Sequence, residues 1–564
     1  MGIDYQKLRF DYVRAAEHDT PTQPIHPVVV VGAGPVGLSA AIDLSQQGGN
    51  VILVDNDDTL SSGSRAICFA KRTLEIFDRL GCGDRMVEKG VSWNVGKVSF
   101  QDELIYTFNV LPEAGHARPA FINLQQYYVE GYLAERAMER DNIQVRWKSN
   151  VVGLTQCNEY VELQIETPDG TYPLRAQYVV AADGARSPLR KMLGLDSYGR
   201  TFKDRFLIAD VKMKAPFPTE RWFWFDPPFH RNQSVLLHRQ PDDVWRIDFQ
   251  LGWDADPIAE KAPERVIPRV KALLGENVEF ELEWVSVYTF SCLRMDSFRH
   301  GRVLFAGDSA HGVSPFGARG ANSGVQDADN LAWKLRLVLN GDAPPALLDT
   351  YASEREFAAD ENILHSTRAT DFITPKSAVS RLFRDAALKL AKDCAFARRI
   401  VNSGRLSAPA VLSNSPLNTP DGPADAFSGP MVPGAVCNDA PVAVDGKRAW
   451  LLNQTAGSAF TGIYFLGLDE DLAKASEDLA ALACLPIGVR SLIVIPQGAQ
   501  VPAMPGVTLV EDVEGLVNSR FDARPGTFYL LRPDQHVCAR WRVLDVRSIS
   551  AAVDRATCNA TFNG

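Results

Sequence analysis

The valine run Val28–Val31 leads directly into Gly32-Ala-Gly-Pro-Val-Gly37, and this junction restricts the chain more than any other stretch. Consecutive β-branched residues favour a strand buried on both faces. The helix-like segment from Val36 to Gln47 and a second apolar run, Val51–Val54, complete a βαβ unit whose parallel strands require the crossover helix. The glycines then have separate duties: the first allows the tight turn, the second lets a pyrophosphate approach the backbone, and the third lets helix and strand pack closely. Asp55, closing the second strand, lies close to the spacing expected of a ribose-binding acid. The fold class is α/β, built on a Rossmann-like dinucleotide-binding domain.

Two more strand-and-turn units follow, Tyr178–Ala182 with Asp183-Gly-Ala-Arg-Ser187, and Arg302–Ala306 with the Gly-rich Gly307–Gly324. Between them the chain alternates and turns aromatic, as in Arg221-Trp-Phe-Trp-Phe225, Ser234–His238 and Val244–Gln250, which reads as an inserted antiparallel sheet. These patterns divide the 564 residues into an arm (1–26), a discontinuous nucleotide-binding domain (27–90, 120–190 and 295–345), a substrate-binding sheet domain (91–119 and 191–294), a helical segment (346–406), a Pro/Gly/Ser-rich linker (407–433) and a last domain (434–564). The arm packs either on the body or on a neighbouring subunit.

A net charge of −10 argues against nucleic acid or an anionic membrane as main partner. The N-terminus has no apolar signal region, and the longest apolar stretch, Pro27 to Leu44, is broken by glycines and an Asp, so no membrane partner and a cytoplasmic location are expected. Nine cysteines lack any CxxC or metal-like spacing, so no metal site and no dithiol centre are expected.

Three motifs occur together and in order: GAGPVG at 32–37, DGARSPLR at 183–190 and GDSAHGVSPFGARGAN at 307–322. Over roughly residues 27–375 the chain resembles the class A flavoprotein monooxygenases, the single-component aromatic hydroxylases. The resemblance implies FAD as cofactor, NADH or NADPH as co-substrate, O2, and hydroxylation of a small phenolic or related aromatic compound through a flavin C4a-hydroperoxide; it also implies a homodimer. Laid onto this chain, Gly32, Gly34 and Gly37 would hold the FAD pyrophosphate and Asp55 the adenosine ribose, with further contacts from Arg65 and Gln126. Asp183 would serve both FAD and NAD(P)H, Asp308 the flavin-side ribitol or ribose, and Pro315, Gly320, Ala321 and Asn322 the isoalloxazine. The helix N-terminus beginning there would favour the negative charge of the reduced flavin. His311, in the same loop, reads more simply as a structural hydrogen-bonder.

A phenol reacts better when its hydroxyl is deprotonated, so a base or hydrogen-bond acceptor is expected near the ring. The candidates are Arg246, which falls where the family carries an arginine near the flavin, then His238 and Tyr288, with His230 behind them. Trp222–Phe225 either walls a flat substrate or packs within the sheet. It also resembles the W-x-W-x-I-P motif of flavin-dependent halogenases, with Asp226 in place of Ile, which makes a halogenase the alternative enzyme; a non-catalytic FAD-binding protein is the other alternative. The region from 434 resembles the thioredoxin-like C-terminal domain of the phenol hydroxylase branch, without its redox cysteine pair.

Overall fold

A computed structural model describes residues 3–20, 22–61, 63, 65–215, 217–401, 406–423, 425–467 and 472–560. One sheet runs, in spatial order, Arg299–His300, Val303–Phe305, Gly170–Ala181, Ile25–Val31, Val51–Val54 and Ile143–Arg146. From Val303–Phe305 onward each successive pair in that order is parallel, and Gly170–Ala181 also pairs antiparallel with Val161–Thr167. Val28, Val29 and Val30 have no accessible surface, as a parallel sheet covered on both faces requires. The crossover helix Pro35–Gln46 packs against the helices Gly320–Asn340 and Gln126–Met138.

The second sheet has eight strands in the order His311–Gly312, Glu281–Met295, Ser197–Lys212, Val244–Leu251, Ser234–Arg239, Arg221–Phe225, Val95–Phe100 and Glu103–Asn109. All pairs are antiparallel except Arg221–Phe225 with Val95–Phe100. Strand period two gives its faces different chemistry. Leu207, Ala209, Val211, Val235, Leu237, Trp245, Ile247 and Phe249 form one apolar face, packed on Val266 and Val270 of the helix Pro263–Leu274. The opposite face carries Phe206, Ile208, Asp210, His238, Arg246 and Asp248.

The arm lies on the body. Phe10 stacks on Trp147 with ring centroids 4.1 Å apart, and Glu17 accepts from Arg146 at 2.9 Å. The segment 407–433 is tied down in its described part rather than loose: Leu412, Leu417 and Met431 are buried, the Thr419 N–H donates to the Cys538 carbonyl at 2.9 Å, and the Gly434 N–H donates to that of Val537 at 2.7 Å.

The last region forms a seven-stranded sheet ordered Lys447–Trp450, Pro441–Val444, Val507–Asp512, Val489–Pro496, Phe460–Phe465, Phe528–Leu531 and Val537–Trp541. It shares a core with the rest of the chain, since Trp333, Leu337 and Leu347 pack with Phe460, Tyr464 and Leu530. A buried ionic network crosses the same boundary. Arg532 donates to Glu354 and to Asp534, both at 2.6 Å, Lys334 donates to Glu354 at 2.7 Å, and Arg72 bridges Asp329 at 2.9 Å and the Asp534 carbonyl at 2.8 Å. Burial holds the Lys334 ammonium down to about 8, while Glu354 stays ionised beside the two cations. No described helix is long and apolar enough to cross a membrane.

Candidate active site

A cavity of about 750 Å³ opens where the parallel strands end and the inserted sheet begins. Gly32, Asp55, Asp183 and Asp308 each lie one to three residues beyond the carboxyl end of a parallel strand, the position at which open α/β sheets bind ligands. The cavity is lined by Gly32, Gly34, Asp55, Arg65, Gln126, Asp183, Asp308, Pro315, Gly320, Ala321 and Asn322, together with Arg246, His238 and Tyr288. Gly37 is absent from the wall. It packs under the turn, where an added Cβ would fall 1.9 Å from the Gly32 carbonyl oxygen.

The nucleotide half is organised by short local bonds. Gly32 holds φ +104°, a left-handed conformation that other residues rarely adopt. Asp55 accepts from the Ala33 N–H at 2.5 Å and the Asp57 N–H at 2.8 Å, and burial raises its pKa against those bonds. Gln126 accepts from the Ala66 N–H at 3.0 Å and donates to Glu130 at 2.7 Å, fixing the segment that carries Arg65. Asp183 uses one oxygen on Ser187 and the Leu189 N–H, at 2.8 and 3.0 Å, and leaves Oδ1 buried without a partner. Asp308 keeps accessible surface toward the cavity, yet it lies deep enough for burial to raise its pKa, against the pull of His311 and Arg65.

These features fit FAD. The orphaned Asp183 oxygen needs a donor such as a ribose hydroxyl, and a Cβ at Gly34 would meet no atom within 4 Å, so the turn presents open space where a pyrophosphate must approach. Asn322 works differently from an isoalloxazine contact alone. It accepts from the Ala70 N–H at 2.8 Å and donates to the carbonyls of Cys68 and Ala318 at 2.9 and 2.6 Å, bracing the cavity wall. His311 bonds Asp327 at 2.7 Å and stacks on Phe298, a structural role.

The sheet half carries the polar face. Arg246 is held by both Asp210 oxygens at 2.8 Å and donates to the Arg65 carbonyl at 3.3 Å. His238, directly across from Arg246 in the register, meets Asp248 at 3.4 Å and leaves Nδ1 without a partner. Burial, reinforced by Arg221, pulls the His238 pKa down to about 4, so the ring is neutral at pH 7. Phe206, Ile208, Tyr288, Phe290 and Phe316 supply apolar wall. His230 lies outside, its Nε2–H donating to the Gln250 carbonyl at 2.7 Å and its ring packed edge-on to Phe249.

Sequence reading missed Asp210, Asp248 and Arg221. The signal was present in Val244-Trp-Arg-Ile-Asp-Phe-Gln250, where one face is wholly apolar and the other polar, although the strand is interior to its sheet. The aromatic run divides in the same way. Trp222 and Trp224 turn to the far face, against Phe217 and Phe229, whereas Phe223 and Phe225 line a smaller chamber of about 50 Å³ that shares Phe316 and Arg319 with the main cavity.

A nucleotide cradle opens into a partly apolar chamber. Residues 26–366 match the family model described as FAD binding domain, and residues 434–556 match the HcaD C-terminal domain. The chain belongs to the FAD-binding domain family, and it is an FAD-dependent monooxygenase. It is 29% identical over 370 residues to a 3-(3-hydroxy-phenyl)propionate/3-hydroxycinnamic acid hydroxylase of Mycolicibacterium smegmatis, covering 64% of each chain. To an enzyme of the same name from Burkholderia vietnamiensis it is 27% identical over 533 residues, covering 93% of this chain and 95% of that one. The crystal structure of the flavin-dependent monooxygenase PieE in complex with FAD and substrate superposes with a TM-score of 0.79 at 23% identity, covering 96% of this chain and 100% of that one.

Proposed function

We propose that the protein uses NADH or NADPH and O2 to hydroxylate a small phenolic compound bound against the polar face of the inserted sheet. The observation that carries this reading is the continuity of the cavity, from the glycine turn at Gly34 to the wall of Phe206, His238, Arg246 and Tyr288. The hydroxylase names of the relatives support the substrate class. Bound FAD, once reduced, supplies the reactive oxygen.

The chain supplies binding, orientation and dryness. Gly32, Gly34, Asp55, Arg65, Gln126, Asp183 and Asp308 hold the cofactor, and Pro315, Gly320, Ala321 and Asn322 bound its ring end. The Arg246 guanidinium, rigid between its counter-ion Asp210 and the Arg65 carbonyl, orients reacting groups. Neutral His238 accepts the phenolic proton, and Asp248 steadies the ring and offsets the charge that develops. Tyr288, opposite Phe206 in the register, offers a hydroxyl at the chamber wall.

We also infer a thioredoxin-like last domain. The spatial order Val489–Pro496, Phe460–Phe465, Phe528–Leu531, Val537–Trp541, with the first pair parallel and the others antiparallel, supports it. Cys437 and Cys538 are buried and Cys484 exposed, all unpaired, so its role is packing.

The test is NAD(P)H consumption by the purified yellow protein across phenols, hydroxybenzoates and hydroxyphenylpropionates, with oxygen uptake and peroxide recorded together. Stimulation by a phenol with little peroxide is expected. Consumption that no aromatic compound stimulates would remove the hydroxylase reading.

A further inference from the structure

Of the two arginines on the polar face of the inserted sheet, one is neutralised and the other is not. Arg246 has Asp210, whereas Arg221, only 4% exposed and lining the cavity, has no Asp or Glu oxygen within 4.0 Å among the described residues. Its Nη1 reaches only the Cys68 thiol, at 3.9 Å, and its Nε has no acceptor. The guanidinium carbon lies 5.1 Å from the Phe223 ring and 5.8 Å from that of Trp93, contacts that soften burial without satisfying donors. A guanidinium carries five N–H donors and stays charged, and a buried charge is costly unless it is paired and hydrogen-bonded. The fold leaves that pairing to something that enters the cavity.

The neighbourhood fits an anion. His238, 2% exposed, leaves Nδ1 unsatisfied in the same wall, and with Nε2–H turned to Asp248 that nitrogen is an acceptor, suited to taking the proton of a phenol whose oxygen Arg221 then holds. Asp248, which lines the cavity, engages Nε2 of His238 rather than Arg221. A planar, two-pronged donor matches an oxyanion better than a neutral hydroxyl does.

We propose that Arg221 is the seat for an anionic oxygen of the substrate, so that the enzyme selects aromatic compounds bearing a carboxylate or a readily ionised phenol. The inference rests on the hydroxylase reading and narrows its substrate class. Both sources share the same chemistry, an oxyanion held by a buried guanidinium.

The experiment titrates FAD-loaded enzyme, followed by flavin absorbance, with 3-(3-hydroxyphenyl)propionate, its uncharged alcohol 3-(3-hydroxyphenyl)propan-1-ol, and 4-nitrophenol, whose ionisation is visible. Native protein is compared with Arg221→Met and Arg221→Gln. A carboxylate occupant predicts that the acid binds more tightly than the alcohol to native enzyme and that both variants lose that preference by roughly 30-fold or more. A phenolate occupant predicts instead that 4-nitrophenol binds ionised to native enzyme and protonated to the variants. Melting of the substrate-free protein is measured alongside, and Arg221→Met is expected to match or exceed native. Variants that keep native affinities for all three probes overturn the inference, and so does a fall of several degrees in melting temperature, which would make Arg221 a structural brace. If no probe binds native enzyme, both readings fail; if phenols bind and stimulate NAD(P)H use without any Arg221-dependent preference for the anion, this one fails alone.

Discussion

Gly34 and Gly37 stand in one turn, yet their substitution by alanine should have opposite consequences. At Gly37 a Cβ would fall 1.9 Å from the Gly32 carbonyl oxygen and 3.3 Å from the Ala182 Cβ; at Gly34 it would meet nothing within 4 Å. Carbon and oxygen pack at roughly 3.5 Å, so Gly37→Ala must open the turn by more than about 1 Å. Overpacking of that kind costs about 1–3 kcal/mol, and at about 2–4 °C per kcal/mol the melting temperature falls by several degrees. Gly34, at φ −75° and ψ −178°, already has a backbone that alanine adopts freely. Gly34→Ala should therefore leave the FAD-free fold unchanged, or stabilise it by about 0.4–1 kcal/mol through the unfolded chain. Its methyl, however, stands in the space reserved for the pyrophosphate. Crowding worth about 1–3 kcal/mol weakens FAD binding by roughly 5- to 150-fold. Thermal melts of FAD-free protein, paired with fluorescence titration of FAD, separate the two effects. A Gly34→Ala protein that binds FAD with native affinity, or melts as early as Gly37→Ala, refutes the reasoning.

Asp308→Ala removes a carboxylate from the nucleotide half without breaking a described hydrogen bond, so flavin content after purification should drop sharply while the fold persists; full retention of flavin would take Asp308 out of the site. Arg246→Ala strands Asp210 and should slow flavin reduction or divert turnover to peroxide, read as the ratio of peroxide to NAD(P)H consumed, and unchanged coupled turnover would contradict it. For His238 the folded pKa of about 4 lies below the ordinary 6.5. As pH drops through that window the unfolded chain takes up a proton that the folded chain refuses, so stability is lost progressively, by about 3 kcal/mol once both states are protonated. His238→Asn should flatten the melting-temperature profile between pH 6.5 and 4, and an unaltered slope would count against a buried neutral ring.

The nucleotide half was legible because its chemistry is local. A glycine turn, the acid after the next strand and the Asp183 and Asp308 turns are each set within a few residues, and four such signals in order leave few folds. The sheet half was less legible, since it is made by pairing across the chain: Asp210 meets Arg246 from 36 residues away, and Arg221 reaches Cys68 from 153. Alternation in Val244–Gln250 marked two faces but could not say which one turns inward, and the same ambiguity hid the outward turn of Trp222 and Trp224. Pro, Gly and Ser in 407–433 signalled irregular backbone, and irregular backbone can still be tightly packed, as Leu412 and Met431 are. Asn322 is a further case, because sequence alone gives no sign that its amide spans three backbone groups.

The ionic network between Glu354, Lys334, Arg532 and Asp534 also bears on how the molecule comes apart. Lys334–Glu354 and Arg532–Asp534 each lie within one side, and the buried Arg532–Glu354 pair that joins them across the boundary is broken if the last domain leaves. Breaking a buried pair by removing one partner costs about 3–5 kcal/mol, and the shared apolar core around Trp333 and Phe460 adds to that. Heat should consequently melt the two regions in one cooperative transition. A chain cut before residue 434 would expose Trp333 together with Glu354 stripped of Arg532, and aggregation, not a trimmed working enzyme, is the expected product.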